Sequence, residues 1–165
     1  MTPDLLRPGL KLVFCGYNPS LRSGQSGHHY AHPGNRFWRI LVAAGITDYL
    51  YAPVEDVRLL DMGIGFTNLV ARPTRRADEL EPGEIRAGAE ILAHKLAELK
   101  PGAVAYTGSG VYRWFRRLKD VSWGLQPSSA IPGVVDIVVP SPSGLNRMCF
   151  AQLVEHYAVL KQFLI

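Results

Sequence analysis

Residues 11–20 of the chain, KLVFCGYNPS, decide the expected fold. The first half, residues 11–15, is a short run that is apolar after Lys11, which is typical of a strand covered on both faces. The second half, residues 16–20, ends that run with a glycine and an Asn-Pro pair, which favour a turn. A buried strand followed directly by such a loop indicates an α/β protein whose ligand approaches the end of the strand.

Beyond this stretch, helical patterns alternate with further short apolar runs. One helical pattern begins at Asn35, and four others cover residues 53–60, 84–99, 111–118 and 150–164. The runs that predict strands cover residues 66–70, 103–107 and 134–139. Residues 16–34 show neither the period of a helix nor that of a strand and are expected to form one long irregular loop. The alternation predicts an α/β fold, a three-layer α/β/α sandwich with a short, mainly parallel central sheet, in a single domain over residues 1–165.

The composition is that of a globular protein with a basic surface. Hydrophobic residues make up 47% and charged residues 19% of the 165 residues, which excludes a disordered polyelectrolyte. The net charge of +4 fits a polyanionic partner, although a merely solvated positive surface gives the same value. No segment supplies the run of about 18 apolar residues that a membrane span needs, so we expect no membrane contact.

The chain has two cysteines, Cys15 and Cys149. Cys15 lies inside the first apolar run and is expected to be a buried thiol, so no disulfide is implied. Residues 1–8 show no signal-peptide pattern. These observations together predict a cytoplasmic protein in a reducing compartment.

Two further motifs suggest ligands that the rest of the sequence does not support. His28, His29 and His32 lie close together, but no matched set of Cys, His or carboxylate ligands accompanies them, so solvent-facing or phosphate-facing histidines are favoured over a metal site. Residues 108–110, Gly-Ser-Gly, lack the third glycine of a dinucleotide site. Helix packing or a phosphate contact explains them equally well. We therefore predict no metal and no cofactor.

Five segments, taken in order, resemble one family. They are residues 16–20 (GYNPS), 30–38 (YAHPGNRFW), 63–74 (GIGFTNLVARPT), 123–127 (WGLQP) and 140–147 (PSPSGLNR). From about residue 8 to the C-terminus the chain resembles the mismatch-specific uracil/thymine-DNA glycosylases, a branch of the uracil-DNA glycosylase superfamily. The resemblance implies an α/β/α fold whose strand ends hold a pocket for a nucleotide flipped out of the duplex, because the glycosidic carbon is inaccessible in a stacked helix.

The resemblance also implies which residues carry the chemistry. Asn18 is expected to be catalytic, with its side-chain carbonyl positioning the water that attacks the sugar C1′. An amide is not a strong base, so catalysis would rest on water positioning, on an oxocarbenium-like sugar and on hydrogen bonds to the departing base. Asp61, the carboxylate nearest in sequence to the pocket-forming strands, is a second candidate that would polarise a water, the alternative being a plain helix end.

Five residues are expected to contact the flipped base. Tyr30 stands where the family has an aromatic that stacks on the base, and a flat ring suits this role, although an ordinary partly buried loop tyrosine is the alternative. By the same resemblance the backbone near Gly16 and Tyr17, together with Ser23, contacts the uracil edge. Asn68 is expected at the pocket rim or at the substrate.

Residues 140–147, with the sequence Ser143-Gly144-Leu145-Asn146-Arg147 at their end, resemble the family's wedge loop. Leu145 would enter the base stack where the target base has left, and Arg147 would bind phosphate or the opposing guanine. The alternative is a plain loop whose leucine turns inward. At Ser141, which begins this loop, and at Ser20 the family often has glycine or asparagine, which leaves water geometry and base preference open.

The predicted function is a monofunctional DNA glycosylase of base excision repair that removes uracil, with thymine or other damaged bases as further candidates. The expected partner is double-stranded DNA with G:U or related mismatches, and we expect the protein to be a monomer. Two basic clusters could contact its backbone or simply be solvated: Arg72, Arg75 and Arg76, and Arg113, Arg116, Arg117 and Lys119. The alternative is a non-catalytic nucleic-acid or nucleotide binding module on the same scaffold.

Overall fold

The computed structural model describes residues 1–165 and contains one five-stranded sheet. Its strands are β1 (Leu12–Gly16), β2 (Ile64–Asn68), β3 (Ala103–Thr107), β4 (Gly124–Leu125) and β5 (Val135–Val139). The strand order is β2-β1-β3-β5-β4, and the short edge strand β4 is the only one that pairs antiparallel.

Helices cover both faces of this sheet. The α-helices are α1 (Leu21–Ser26), α2 (Phe37–Ala43), α3 (Pro82–Leu99), α4 (Ser109–Arg116) and α5 (Phe150–Ala158). Three 3₁₀ helices cover Pro53–Met62, Ala77–Glu79 and Val159–Phe163. The predicted α/β/α sandwich with a mainly parallel sheet is confirmed. No helix is both long enough and apolar enough to cross a bilayer.

The first strand shows why the sequence predicted burial on both faces. Leu12 and Phe14 belong to the core formed with α2 and α5, whereas Val13 and Cys15 belong to the core formed with α3 and α4. Successive side chains of a strand point to opposite faces, so a strand between two helical layers must be apolar throughout. The strand is therefore confirmed, shifted by one residue from the predicted 11–15.

The prediction of one irregular loop over residues 16–34 is wrong for residues 21–26, which form α1. Ser20 caps this helix by accepting a hydrogen bond from the Ser23 backbone N–H at 3.1 Å, and Gly27 ends it in the left-handed region (φ 78°). A helix of six residues is too short to display a hydrophobic period, so only its capping residues could have indicated it. Two other helical predictions also change, because residues 53–62 form a 3₁₀ helix and residues 150–164 divide into α5 and a 3₁₀ helix.

Strand β2 covers residues 64–68 rather than the predicted 66–70. The sequence does not indicate that the strand begins before Phe66, because Gly65 interrupts the strand pattern. Glycine is disfavoured inside strands, but an ideal Cβ on Gly65 would lie 2.5 Å from the backbone oxygen of Leu5. Leu5 forms an antiparallel bridge with Phe66, with N–O distances of 2.9 Å in both directions. The glycine therefore lets the N-terminal segment lie beside the strand.

Strand β4 was not predicted, because a strand of two residues is too short to show the alternation of apolar and polar residues that marks a strand. In its antiparallel pairing Gly124 lies opposite Val138 and Leu125 lies opposite Ile137. The residue before β4, Trp123, therefore lies at the edge of the sheet where the parallel strands end.

Candidate active site

A cleft of about 1090 Å³ opens at the carboxyl edge of the parallel strands. The predicted catalytic and base-binding residues that line it are Asn18, Gly16, Tyr17, Ser23, Tyr30 and Asn68. The predicted wedge-loop residues that line it are Ser141, Ser143, Gly144, Leu145 and Asn146. The fold brings the two groups together because β1, β2 and β5 run parallel and end at this edge.

Three polar side chains converge on Gly16, the last residue of β1. In the parallel register Gly16 lies opposite Asn68. An ideal Cβ on Gly16 would lie 2.7 Å from Asn68 Oδ1, 3.3 Å from Tyr30 Oη and 3.7 Å from Thr107 Oγ1. Any larger residue would displace Asn68, so the absence of a side chain at Gly16 is what allows this cluster to form.

Thr107, the last residue of β3, was not singled out in the sequence. Its hydroxyl lies 3.0 Å from Tyr30 Oη and donates a hydrogen bond of 3.3 Å to the backbone oxygen of Cys15. The signal that could have found Thr107 is its position, because a polar residue at the end of a buried parallel strand faces the ligand edge of the sheet.

The side-chain amide of Asn18 has one orientation that satisfies its neighbours. Its Nδ2 donates to the backbone oxygen of Arg72 at 2.9 Å and to Thr74 Oγ1 at 2.8 Å. The Thr74 hydroxyl donates its one proton to the backbone oxygen of Arg76 at 2.8 Å, so toward Asn18 it can only accept a hydrogen bond. Both partners thus require the NH₂ group, and Asn18 Oδ1 is left without a hydrogen-bond partner in the protein.

The loops after β1 and β2 are joined along their length. The backbone N–H groups of Leu69, Val70 and Thr74 donate to the backbone oxygens of Gly16, Tyr17 and Pro19, with N–O distances of 2.8, 2.9 and 3.1 Å. These bonds extend the pairing of the two strands past their ends. They hold the two acceptors of the Asn18 amide at a fixed distance from Asn18.

The ring of Tyr30 stacks on Phe37 with its centroid 3.9 Å away and the planes 10° apart. Tyr30 has a positive φ of 51°, a conformation that non-glycine residues adopt rarely. Burial raises the pKa of the Tyr30 phenol above its ordinary value, so the group is neutral near pH 7 and can share a hydrogen bond with Thr107. One face of the ring is covered by Phe37, and the residue lines the cleft.

Arg36 holds the wedge loop, residues 140–147, through hydrogen bonds to its backbone. Its guanidinium donates to the backbone oxygens of Ser143 at 2.7 Å, Asn146 at 2.9 Å and Met148 at 3.0 Å. Leu145 is 86% exposed at the tip of the loop, so it does not turn inward. The sequence around Arg36 gives no sign of this role, because its partners lie more than one hundred residues away.

Ser141 and Ser20 have local structural roles. Ser141 Oγ accepts from the Ser143 backbone N–H at 3.2 Å, and the Ser141 backbone oxygen accepts from Asn146 Nδ2 at 2.8 Å. Ser20 caps α1. Both side chains therefore support the backbone beside the cleft.

Asp61 does not lie at the cleft, and the prediction that it polarises a catalytic water is contradicted. It precedes β2 and so lies at the amino edge of the sheet, opposite to the edge where the cleft opens. Its side chain is 87% exposed, and Arg7 Nη2 lies 3.6 Å from its Oδ1. Proximity in sequence misled here because the two ends of a strand lie at opposite edges of the sheet. Arg147, the last residue of the wedge loop, is exposed and does not line the cleft, so its contact with phosphate or guanine stays a prediction.

The three histidines have different partners. His29 is buried, and its Nε2 lies 2.8 Å from the backbone oxygen of Pro3, so the expectation of a solvent-facing or phosphate-facing side chain is wrong for His29. Burial lowers the pKa of His29. His28 Nδ1 lies 3.2 Å from Asp56 Oδ1, and His32 is exposed. The structure contains no group of three or more His, Cys, Asp or Glu side chains that could hold a metal ion.

The basic clusters divide between the cleft and ion pairs within the protein. Arg75 and Arg76 line the cleft, and Arg76 also pairs with Asp78. Arg72 is committed to Glu84, with an N–O distance of 2.7 Å. The second cluster, in and after α4, does not line the cleft.

Comparison with known proteins shows a family and a shared fold. A family model described as the Uracil DNA glycosylase superfamily matches residues 3–164. The chain is also similar to the solution NMR structure of "a putative Uracil DNA glycosylase" from Methanosarcina acetivorans, with a TM-score of 0.69 and 22% identity. That match covers 98% of this chain and 96% of the other, and at this identity it shows a shared fold.

Proposed function

The chain belongs to the uracil DNA glycosylase superfamily, and from this we propose that it is a monofunctional DNA glycosylase that hydrolyses the N-glycosidic bond of uracil flipped out of mismatched double-stranded DNA. The observation that carries the proposal is the Asn18 amide, whose NH₂ group is fully committed and whose carbonyl oxygen is free in a cleft-lining residue. A carbonyl oxygen held in this way can accept a hydrogen bond from one water and aim its lone pair.

The reaction needs one water and no other reactant. With Asn18 Oδ1 holding one of its protons, the water oxygen attacks C1′ of the flipped nucleotide. The C1′–N1 bond breaks, its electron pair leaves with the uracil, and the water loses a proton to solvent or to the departing base. The products are free uracil and an abasic site. Because the amide is a weak base, the stability of the departing anion controls the rate.

The flipped base is proposed to stack on the ring of Tyr30, beside the end of β1. The face of Tyr30 that Phe37 does not cover is the surface on which the base stacks. Ser23 Oγ accepts from the Ala31 backbone N–H at 3.0 Å and so keeps its own proton to donate to a uracil oxygen. Asn68, beside Gly16, offers an amide of matching polarity.

Leu145 is proposed to fill the gap that the flipped base leaves. Leu145→Ala is expected to slow uracil release from a well-paired U:A duplex by about 10- to 100-fold, the cost of not burying a leucine side chain. The loss should be smaller for a U:G mismatch, where extrusion costs less, and absent for single-stranded DNA, which has no stack to fill. Single-turnover rates on the three substrates measure this order. Equal slowing on all three would contradict the wedge.

The function itself is tested with a labelled duplex that contains one U:G pair. After incubation with the protein, alkali should cut the labelled strand at the abasic site, and free uracil should appear in solution. A protein that binds this duplex and releases no base would instead be the non-catalytic binding module. Parallel duplexes with T:G and other damaged bases define the range of substrates.

A further inference from the structure

Trp123 is an aromatic side chain at the cleft for which the reaction above has no use. Its side chain is 41% exposed and lines the same cleft as Asn18 and Leu145. The antiparallel direction of β4 places it beside the end of β5, from which the wedge loop starts. The indole therefore lies at the rim of the surface on which we place the DNA.

The segment that carries Trp123 is held in one conformation. Gln126 Nε2 donates to the backbone oxygens of Ser122 at 2.7 Å and Gly124 at 3.0 Å, which closes the chain around Trp123. The indole centroid lies 5.8 Å from the His156 ring, on α5, with the planes at 59°. Because the backbone around Trp123 is fixed, a ligand that stacks on the indole has only the side chain itself to order.

We propose that Trp123 is a stacking subsite for an unpaired nucleobase of the substrate strand, next to the base that enters the cleft. This inference rests on the proposed function. Every nucleobase offers an aromatic face, and base–aromatic stacking is the main sequence-tolerant contact of proteins that bind single strands. In a duplex the neighbours of a flipped base stay stacked within the helix and cannot present a face. In a single strand they can, so the subsite serves single-stranded DNA.

The test compares kcat/KM for single-stranded and duplex oligonucleotides that carry one uracil. Trp123→Ala is expected to lower the single-strand value by about 5- to 150-fold, the loss of one base–aromatic stack, and mainly through KM. The duplex value should fall far less, because no neighbouring base reaches the indole. Trp123→Phe keeps an aromatic face and should recover most of the single-strand value.

Leu125→Ala provides the matched control. Leu125 lies two residues further along the chain, in β4, is 66% exposed and does not line the cleft, so its truncation should leave kcat/KM unchanged for both substrates. Equal losses on both substrates for Trp123→Ala, or no loss on the single strand, would overturn the subsite. So would a wild type that is active on duplex and inactive on single strands.

Failure of the proposed function gives a different result. If the wild-type protein releases no uracil from any DNA, the reaction is wrong, and the subsite is then judged by equilibrium binding of a fluorescent single-stranded oligonucleotide. The affinity should fall by the same factor in Trp123→Ala and recover in Trp123→Phe. Unchanged affinity would overturn the subsite as well.

Discussion

Replacing Asn18 with alanine is expected to lower the single-turnover rate of uracil release from a U:G duplex by about 10²- to 10⁴-fold, the range for losing a group that positions or activates a reacting water. The methyl group that remains cannot hold a water, and no apolar core is removed. The variant also loses the hydrogen bonds to Arg72 and Thr74, so its free energy of unfolding should fall by about 1 kcal/mol. Urea denaturation measures this second quantity.

Asp61→Asn is the matched control for Asn18→Ala, because it also changes a small polar side chain near the end of a strand. Asn18 follows β1, whereas Asp61 precedes β2. Asp61 is exposed at the opposite edge of the sheet, so the rate of uracil release should stay at the wild-type value. An Asp61→Asn variant that folds normally and is as impaired as Asn18→Ala would show that the carboxylate reaches the reaction after all. Full activity in Asn18→Ala would remove Asn18 from the mechanism.

Arg36→Met is expected to lower the free energy of unfolding by about 2–4 kcal/mol, since hydrogen bonds to a charged group contribute more than neutral ones and three backbone oxygens lose their donor. Methionine keeps most of the aliphatic packing, so the loss reports on the guanidinium. Activity should fall more on duplex than on single-stranded DNA, because a loose wedge loop no longer presents Leu145 at a fixed position. Urea denaturation and rates on both substrates measure the two effects.

Arg39→Met supplies the control on the same helix. Arg39 lies three residues further along the chain, is exposed, and makes no side-chain hydrogen bond or ion pair. Its replacement should change the free energy of unfolding by no more than about 0.5 kcal/mol. If Arg36→Met were as mild as Arg39→Met, the hydrogen bonds from Arg36 would not be what holds the wedge loop.

The fold was predictable from the sequence wherever burial is two-sided and the element is long enough. Residues 12–15 and 103–105 are apolar throughout because helices cover both of their faces, and α3 repeats its apolar residues over eighteen residues. The short elements were not predicted, for a physical reason. α1 is held by its capping residues and β4 by its pairing with β5, and such contacts leave no periodic pattern of apolar residues in the sequence.

The candidate site was predictable where residues follow a strand at its carboxyl end. The loops that contain Gly16, Asn18 and residues 140–147 were found in this way, whereas the roles of Asn18 and of the wedge loop were inferred from the resemblance to the family. Asp61 was misplaced because it precedes its strand. Arg36 and Thr107 were missed, since their partners are distant in sequence and come close only after folding. The orientation of the Asn18 amide could not be predicted from the sequence either, because it depends on oxygen atoms of Arg72 and Thr74.

The most direct measurement is a crystal structure with a duplex in which the uracil nucleotide carries a 2′-fluoro group, which slows the loss of the base. We expect a uracil stacked on Tyr30, with one water within about 2.6–3.2 Å of Asn18 Oδ1 and facing C1′. A uracil that remains in the helix, or an Asn18 side chain turned away from the sugar with no water between them, would contradict it.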